Sequence, residues 1–482
     1  MAVLDQIQPK EVFRFFEEMC QIPHGTFDTK RISDYCVEFA KERNLDYTQD
    51  SVNNVIIRKP GTAGYEDSEP VIIQGHLDMV CEKRPGSDHD FSKDPLKLLV
   101  EDGFVKTEDT TLGGDDGIAV AMAMAVLDSK DIPHPPIEAV FTVDEEVGMG
   151  GANAIDLSSL KGRKLINIDS DNEGVLTTGC AGGFRYETKI PVTRTKKSGT
   201  LVEIKLHGLL GGHSGAEIHK QRGNANKMMG RLLNRILLEV PVSLVSVCGG
   251  AKDNVITMDC TAKLLADPKD AGRVREITEE MKQIWDYEFM GDEPGFLAEV
   301  SAAENAEADA LDEESTGRVI SYITVCPNGV QGFSRKLEGL VETSLNLGIL
   351  ETEDTCVKSC SLVRSSVESQ KRRMEEELAQ CAKFVGASTE LINEYPAWQY
   401  DPDSALRKVM EDTYKEMFGK EPVVSAIHAG LECGLFLGKR PDLDCVSFGP
   451  DMMDIHSFNE RIDIASTERM WNYLKGVLAK LK

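Results

Sequence analysis

The chain has 482 residues, 41% of them apolar and 28% charged, with a net charge of −27. That is the composition of a globular enzyme with room for two or three domains. The acidic balance opposes nucleic acid and anionic membrane as partners, and the longest strongly apolar run, Ile118–Leu127, is too short to span a bilayer.

The N-terminal stretch Met1–Gln6 turns polar at once and lacks the apolar segment of a secretory leader. Twelve cysteines are scattered with no Cys-x-x-Cys pair. Neither a Cys-rich zinc module nor a disulfide framework is expected, and free thiols in a reducing cytoplasm are the simplest account.

In chain order, Lys10–Arg43 reads as two amphipathic helices broken at Ile22-Pro23-His24-Gly25. Asn54–Arg58 is a short strand, and Pro70–Val80 holds a buried one that ends in His76-Leu77-Asp78. Residues i and i+2 of a strand share a face, so His76 and Asp78 project together. A hairpin follows (Leu96–Val100, Gly103–Thr107), then the loop Gly113-Gly114-Asp115-Asp116-Gly117. It enters a helix, Ile118–Leu127, that is apolar all round and therefore buried. Asp115 and Asp116 stand at its start, where a carboxylate also serves as an ordinary cap.

Pro136–Val143 is the next strand, running into Asp144-Glu145-Glu146, and Lys164–Asp169 is another. Three acids in a row are either a solvated tip or, if buried, need a cation or a shared proton. Three successive strands thus bring His76, Asp78, Glu145, Glu146 and Asp169 to their carboxyl ends, where ligands of open α/β sheets collect.

From Arg185 to Glu394 the pattern changes to α+β. Strands are expected at Leu201–Leu206, Val242–Cys248, Asn254–Cys260, Val319–Val325, Leu340–Leu350 and Thr355–Val363. Helices are expected at Asn224–Leu238, Ala271–Trp285 and Ser366–Cys381, and Glu299–Glu314 reads as an exposed acidic loop. After Pro396 the α/β pattern returns: helix Ser404–Phe418, strand and turn Pro422–Gly430, strand Cys445–Pro450, closing helix Ile464–Leu481. The fold class is therefore α/β, one catalytic domain in two parts (1–184 and 395–482) interrupted by an inserted α+β domain (185–394).

The order His-x-Asp, Gly-x-Asp-Asp, Glu-Glu, Asp and a distal His resembles the M20 metallopeptidases, whose members include dipeptidases, aminopeptidases, carboxypeptidases and deacylases. Gln74–Val80, Gly179–Gly183, Gly211–His219 and Asn224–Lys227 resemble more narrowly the aminoacyl-histidine dipeptidase branch. The resemblance runs through nearly the whole chain. It implies a zinc-peptidase-like domain with a mixed sheet and an inserted domain serving as lid and dimerisation unit, in a cytoplasmic homodimer.

It also implies roles. His76, Asp115 and Asp169 would bind one divalent ion and Asp115, Glu146 and His456 a second, with Asp115 bridging. Zn²⁺ suits such a set, as do Mn²⁺ and Co²⁺. Asp115 is chosen over Asp116, and Asp169 over Asp171, by motif register alone. Many family members have a Met-Lys pair or an Asn after the bridging Asp. Here Asp116-Gly117 stands, and the extra charge bears on the tuning of the metals. Glu145 would be the general base and Asp78 the group that orients His76. His213 would stabilise the oxyanion, often across the dimer in this family, although by itself it reads as a loop His.

Arg364 would take the substrate's carboxylate; a surface ion pair is its ordinary alternative. Asn254 is a candidate polar contact or a turn cap, and His428 a substrate neighbour or a structural His.

The expected activity is hydrolysis of unblocked dipeptides, among them Xaa-His substrates such as β-alanyl-histidine. The alternatives are a deacylase of N-acyl amino acids, or a metal-binding scaffold, which would lack a ligand or the base.

Overall fold

The computed structural model describes residues 3–482; Met1 and Ala2, the start of the stretch read for a leader, lie outside the described residues. The chain forms two units. One comprises the chain up to Gly179 together with Tyr400–Ala426 and Leu431–Lys482; the other comprises Cys180–Gln399 and Ile427–Gly430. The divisions thus fall outside the expected limits of 184 and 394. The strands Gly182–Pro191 and Ser388–Tyr395 pair with each other in the second unit's sheet and carry its limits outward.

The first unit is built on an eight-stranded mixed sheet. In order across it lie Asp46–Gln49, Val55–Lys59, Ile137–Thr142, Val71–His76, Lys164–Asn167, Asp444–Ser447, Val175–Cys180 and Val423–Ile427. The four strands from Ile137–Thr142 to Asp444–Ser447 are mutually parallel, and the pair at the Asp46–Gln49 edge is antiparallel. Val71–His76 and Ile137–Thr142 are buried at every position, as central parallel strands covered on both faces must be. The helix Gly114–Asp128 is buried from Ile118 to Leu127 and belongs to the same core as Phe13, Phe16 and Met19 of the first helix, Lys10–Cys20. Gly117 allows the close approach: a Cβ there would stand 3.1 Å from the Phe16 ring.

The second unit carries a nine-stranded sheet. Its main path begins at Leu297–Leu311 and Arg194–His207 and ends at Gly182–Pro191 and Ser388–Tyr395. Helices Ala225–Glu239, Ala271–Phe289, Glu313–Val325 and Glu368–Phe384 contribute its core residues.

Three expectations fail here. Glu299–Glu314 is no loop: Leu297–Leu311 is a long edge strand along Arg194–His207. Most of its positions are solvent-exposed, so backbone pairing holds it rather than a buried face, and its acids suit an edge that must not recruit another strand. Val319–Val325 is helical. Asp312 caps Glu313–Val325 by accepting the Ser315 N–H, and Ser315, Thr316, Val319, Ile320 and Ile323 are buried at helical spacing. The strand placed at Asn254–Cys260 begins at Cys260 and runs to Ala266.

No helix among the described residues is long and apolar enough to cross a membrane, and no disulfide joins any of the twelve cysteines among the described residues.

Candidate functional site

The strands ending at His76, Thr142 and Asn167 are neighbours in the sheet and parallel, so their carboxyl ends open on one rim of the first unit. His76 is the last residue of its strand, with its side chain buried. Its Nδ1 lies 2.9 Å from the backbone carbonyl of Asp78. That bond puts the Nδ1 proton inward and leaves Nε2 as the nitrogen available for a ligand bond. Nε2 stands 3.1 Å from Asp115 Oδ1, and the other oxygen of that carboxylate, Oδ2, stands 3.2 Å from His456 Nε2. Asp115 therefore lies between two imidazoles, one oxygen toward each. His456 Nε2 is also 3.0 Å from Glu146 Oε2.

Asp78 lies beside His76 as expected and meets its ring through two groups. Its carboxylate is 3.6 Å from His76 Nδ1, an ion-pair distance, and its backbone carbonyl is closer, at 2.9 Å. The carboxylate accepts the backbone N–H groups of Glu145 at 3.0 Å and Glu146 at 3.4 Å, and the Thr26 hydroxyl at 2.9 Å. It thus fixes the turn that presents both glutamates. Asp144, the first of the three acids, turns away and accepts the Phe27 N–H.

Among the described residues, ligand-capable atoms converge in three groups: Asp115, Glu146 and His456; His76, Asp116 and Asp169; and His76, Glu145 and Glu146. The first coincides with one expected ligand set. The second brings together His76 and Asp169 of the other expected set, with Asp116 beside them, while Asp115 meets His76 through Oδ1. Asp116 is fully buried; Oδ2 accepts the His76 N–H, while Oδ1 has no partner. The peptide joining Asp115 to Asp116 is cis.

The electrostatics are those of crowded carboxylates. Burial lifts Asp169 to about 8, Asp115 adds to the rise, and His76 opposes it. Burial also drives Glu145 and Asp116 well above the usual carboxylate range, with Asp169 contributing to both. Hydrogen bonds to Asp115 and Glu146 hold the His456 imidazole up at about 10. Five carboxylates face two imidazoles, and buried Asp116 Oδ1 and Glu146 Oε1 have no donor. Hard oxygen donors plus imidazole, in charge excess and with orphaned oxygens, fit divalent cations.

A second cluster lies in the second unit. His213 sits in a turn shaped by Gly211 and Gly212, both at positive φ. Its Nδ1 accepts the N–H groups of Gly215 and Ala216 at 3.2 and 3.0 Å. That assigns the ring proton to Nε2, making it a donor, and burial together with Arg364 lowers the imidazole's pKa. Arg364, on the strand Cys356–Ser365, is buried; Nη1 donates to the Tyr395 hydroxyl at 3.0 Å, and Nε is unpartnered. His428 Nε2 is 2.7 Å from Ser344 Oγ, and its buried Nδ1 has no partner. Burial, then Arg364 and His213, push His428 down to about 3. Asn254 does not join this cluster: it is exposed, and its backbone carbonyl holds the Ser214 N–H. The polar work near it falls to Asn346, which donates to the carbonyls of Asp253 and Val255.

Sequence reasoning missed Tyr395, Glu432 and Glu460. Glu432 is buried and accepts Gln74 Nε2 at 2.6 Å and Thr142 Oγ1 at 2.8 Å, joining two rim strands. An acid in the first turn of the helix Glu432–Lys439 looks like a helix-end charge and nothing more.

Residues 72–480 match the sequence profile of peptidase family M20/M25/M40. The chain is 36% identical over 483 residues to the cytosol non-specific dipeptidase of Escherichia coli K12, covering 100% of this chain and 99% of that one. Its structure is similar to that of the aminoacylhistidine dipeptidase of Vibrio alginolyticus, with a TM-score of 0.93, 36% identity, and 99% and 98% of the two chains covered. The aminopeptidase PepT of Bacillus cereus shares the fold at 15% identity, with a TM-score of 0.55 and coverage of 98% and 99%.

Proposed function

The chain belongs to peptidase family M20/M25/M40, and from that premise we propose that it hydrolyses unblocked dipeptides with two divalent cations held on the first unit's rim. The observation that carries the reading is Asp115, whose two oxygens face His76 and His456 at 3.1 and 3.2 Å within a ring of further carboxylates. The two relatives that are 36% identical over their full length are both named as dipeptidases.

In this reading His76, Asp115, Asp116, Asp169, Glu146 and His456 supply the ligands. Asp116 is added to the expected set because it groups with His76 and Asp169. When bound, two divalent cations polarise a carbonyl and acidify water. Zn²⁺ suits this donor set best, and Mn²⁺ and Co²⁺ share its preferences.

Glu145 takes the proton from the attacking water and passes it to the leaving amine. Asp78 holds the Glu145 and Glu146 amides, so it keeps base and ligand in register. In the second unit, the His213 Nε2–H is suited to an oxyanion and Arg364 to the dipeptide's carboxylate. His428 is a neutral neighbour of Arg364 on the substrate side, and Asn254 keeps only a turn role. The cytoplasmic location is supported by the name of the Escherichia coli relative. A homodimer formed through the second unit rests on the family resemblance, and light scattering on the purified protein tests it.

The deciding experiment is a substrate panel of dipeptides including β-alanyl-histidine, tripeptides and N-acetyl amino acids, with and without exhaustive chelation. Dipeptides should be cut fastest, and activity should vanish on chelation and return with Zn²⁺, Mn²⁺ or Co²⁺. Turnover that survives complete metal removal, or a clear preference for N-acetyl amino acids, would overturn the reading.

A further inference from the structure

The loop that presents Asp115 has no side-chain cap of its own: Gly113, at the N-cap of the helix Gly114–Asp128, is in the left-handed region, and no local side chain accepts its first amides. The amides of residues 112–115 are instead held from far along the chain. Leu112 and Gly113 donate to Glu460 Oε2 at 2.7 and 3.2 Å, and Gly114 and Asp115 donate to Oε1 at 2.8 and 3.3 Å. Four consecutive N–H groups converge on one buried carboxylate that comes from about 345 residues further along the chain. Successive amides of this kind form an anion-binding nest, and a carboxylate has the lone pairs for four donors. Glycine is needed beside it, because a Cβ on Gly114 would stand 3.2 Å from Glu460 Oε1 and 2.8 Å from Ile462.

Glu460 also closes the segment that carries His456. His456 itself has φ +61, a left-handed conformation costly for a residue with a side chain. The chain after it is tied by Glu460 N–H to the Ser457 carbonyl and by the Ser457 hydroxyl to the Asp454 carbonyl. Only three residues, Ser457 to Asn459, separate the imidazole that faces Asp115 Oδ2 from the carboxylate that grips the Asp115 backbone.

We infer that Glu460 is a positioning residue: it clamps the 112–115 loop to the His456 segment and so sets the spacing of Asp115 and His456 for the second divalent ion. The inference rests on the two-cation reading. It also accounts for why an acid, and not merely a polar residue, is required. A glutamine would turn one oxygen into an N–H₂ group facing two N–H donors. An aspartate would fall one methylene short.

The test uses the whole protein and Co²⁺ as the probe. Hydrogen exchange on the wild type, without metal, should show the amides of residues 112–115 among the protected ones. Fast exchange there would overturn the clamp without any mutation. Glu460→Gln should fold, bind one Co²⁺ as tightly as the wild type and bind the second roughly 10–100-fold more weakly. The visible spectrum at two equivalents should change, and kcat should fall with KM for the dipeptide held. A variant with lowered thermal stability but wild-type Co²⁺ stoichiometry and spectrum would reduce Glu460 to a structural cap and overturn the inference. A wild type that takes up two Co²⁺ yet leaves dipeptides intact would break the substrate reading alone, and the Co²⁺ titration would still judge Glu460.

Discussion

The rim of the first unit and the polar cluster of the second are built in opposite ways. On the rim, carboxylates crowd the ends of adjacent parallel strands, and burial lifts Asp169, Glu145 and Asp116, with the Asp115 charge adding to each rise. In the second cluster the fixed charge is positive: Arg364 lies among neutral imidazoles and lowers the pKa of both His213 and His428. The first arrangement has the chemistry that suits cations, the second the chemistry that suits anionic groups.

The largest break in that comparison should come from Glu145→Gln. A carboxamide cannot accept the water's proton, so turnover should fall by roughly two or more powers of ten, while metal content measured on the dialysed protein stays at the wild-type level. Near-normal turnover would remove Glu145 from its role. Arg364→Ala should act on the other side of the contrast. It should raise KM for dipeptides roughly 10–100-fold, the value of about 1.5–3 kcal/mol for a charged hydrogen bond. Against a dipeptide amide, which lacks the carboxylate, wild type and variant should have similar KM. An equal penalty on both substrates would show that Arg364 serves the fold through Tyr395 and not the substrate.

The two regions also differ in how far they could be read from the sequence. His76, Asp78, Glu145, Glu146 and Asp169 are found by a local rule, a strand ending in polar residues, and the sheet then sets the strands side by side. The same rule could not assign all the work of Asp78, because its further partners are backbone amides 67 and 68 residues away, where no side-chain identity betrays the contact. Glu460 was hidden for the same reason. In the second unit, His213 comes from a turn, Arg364 from a strand and His428 from the short return segment Ile427–Gly430, so no single stretch shows the cluster. The misread elements share one cause: composition was weighed above end signals. Val319–Val325 has the β-branched content of a strand, yet the Asp312-Glu313-Glu314-Ser315 start is that of a capped helix. Leu297–Leu311 has the content of a loop, and no buried face announces it as a strand.

The smallest effect comes from His428 and sharpens the contrast through pH. In the folded chain its imidazole is neutral down to about 3, because it is buried and faces the Arg364 guanidinium and the His213 ring, with only the Ser344 hydroxyl as partner. In the unfolded chain it takes a proton near its ordinary value of about 6.5. Between those values the unfolded state binds one more proton, so His428 contributes stability that is present above about 6.5 and drains away as pH falls toward 3. The slope from this one group is at most about 1.4 kcal/mol per pH unit. His428→Gln keeps an acceptor for the Ser344 hydroxyl but has no proton to gain. Its denaturant midpoint should therefore fall less between pH 6 and pH 4 than that of the wild type. The rim carboxylates titrate equally in both proteins and cancel in the difference. Parallel acid limbs would mean that His428 gains its proton in the folded chain as readily as in the unfolded one, and the second cluster would then become more cationic in acid instead of staying a single guanidinium among neutral rings.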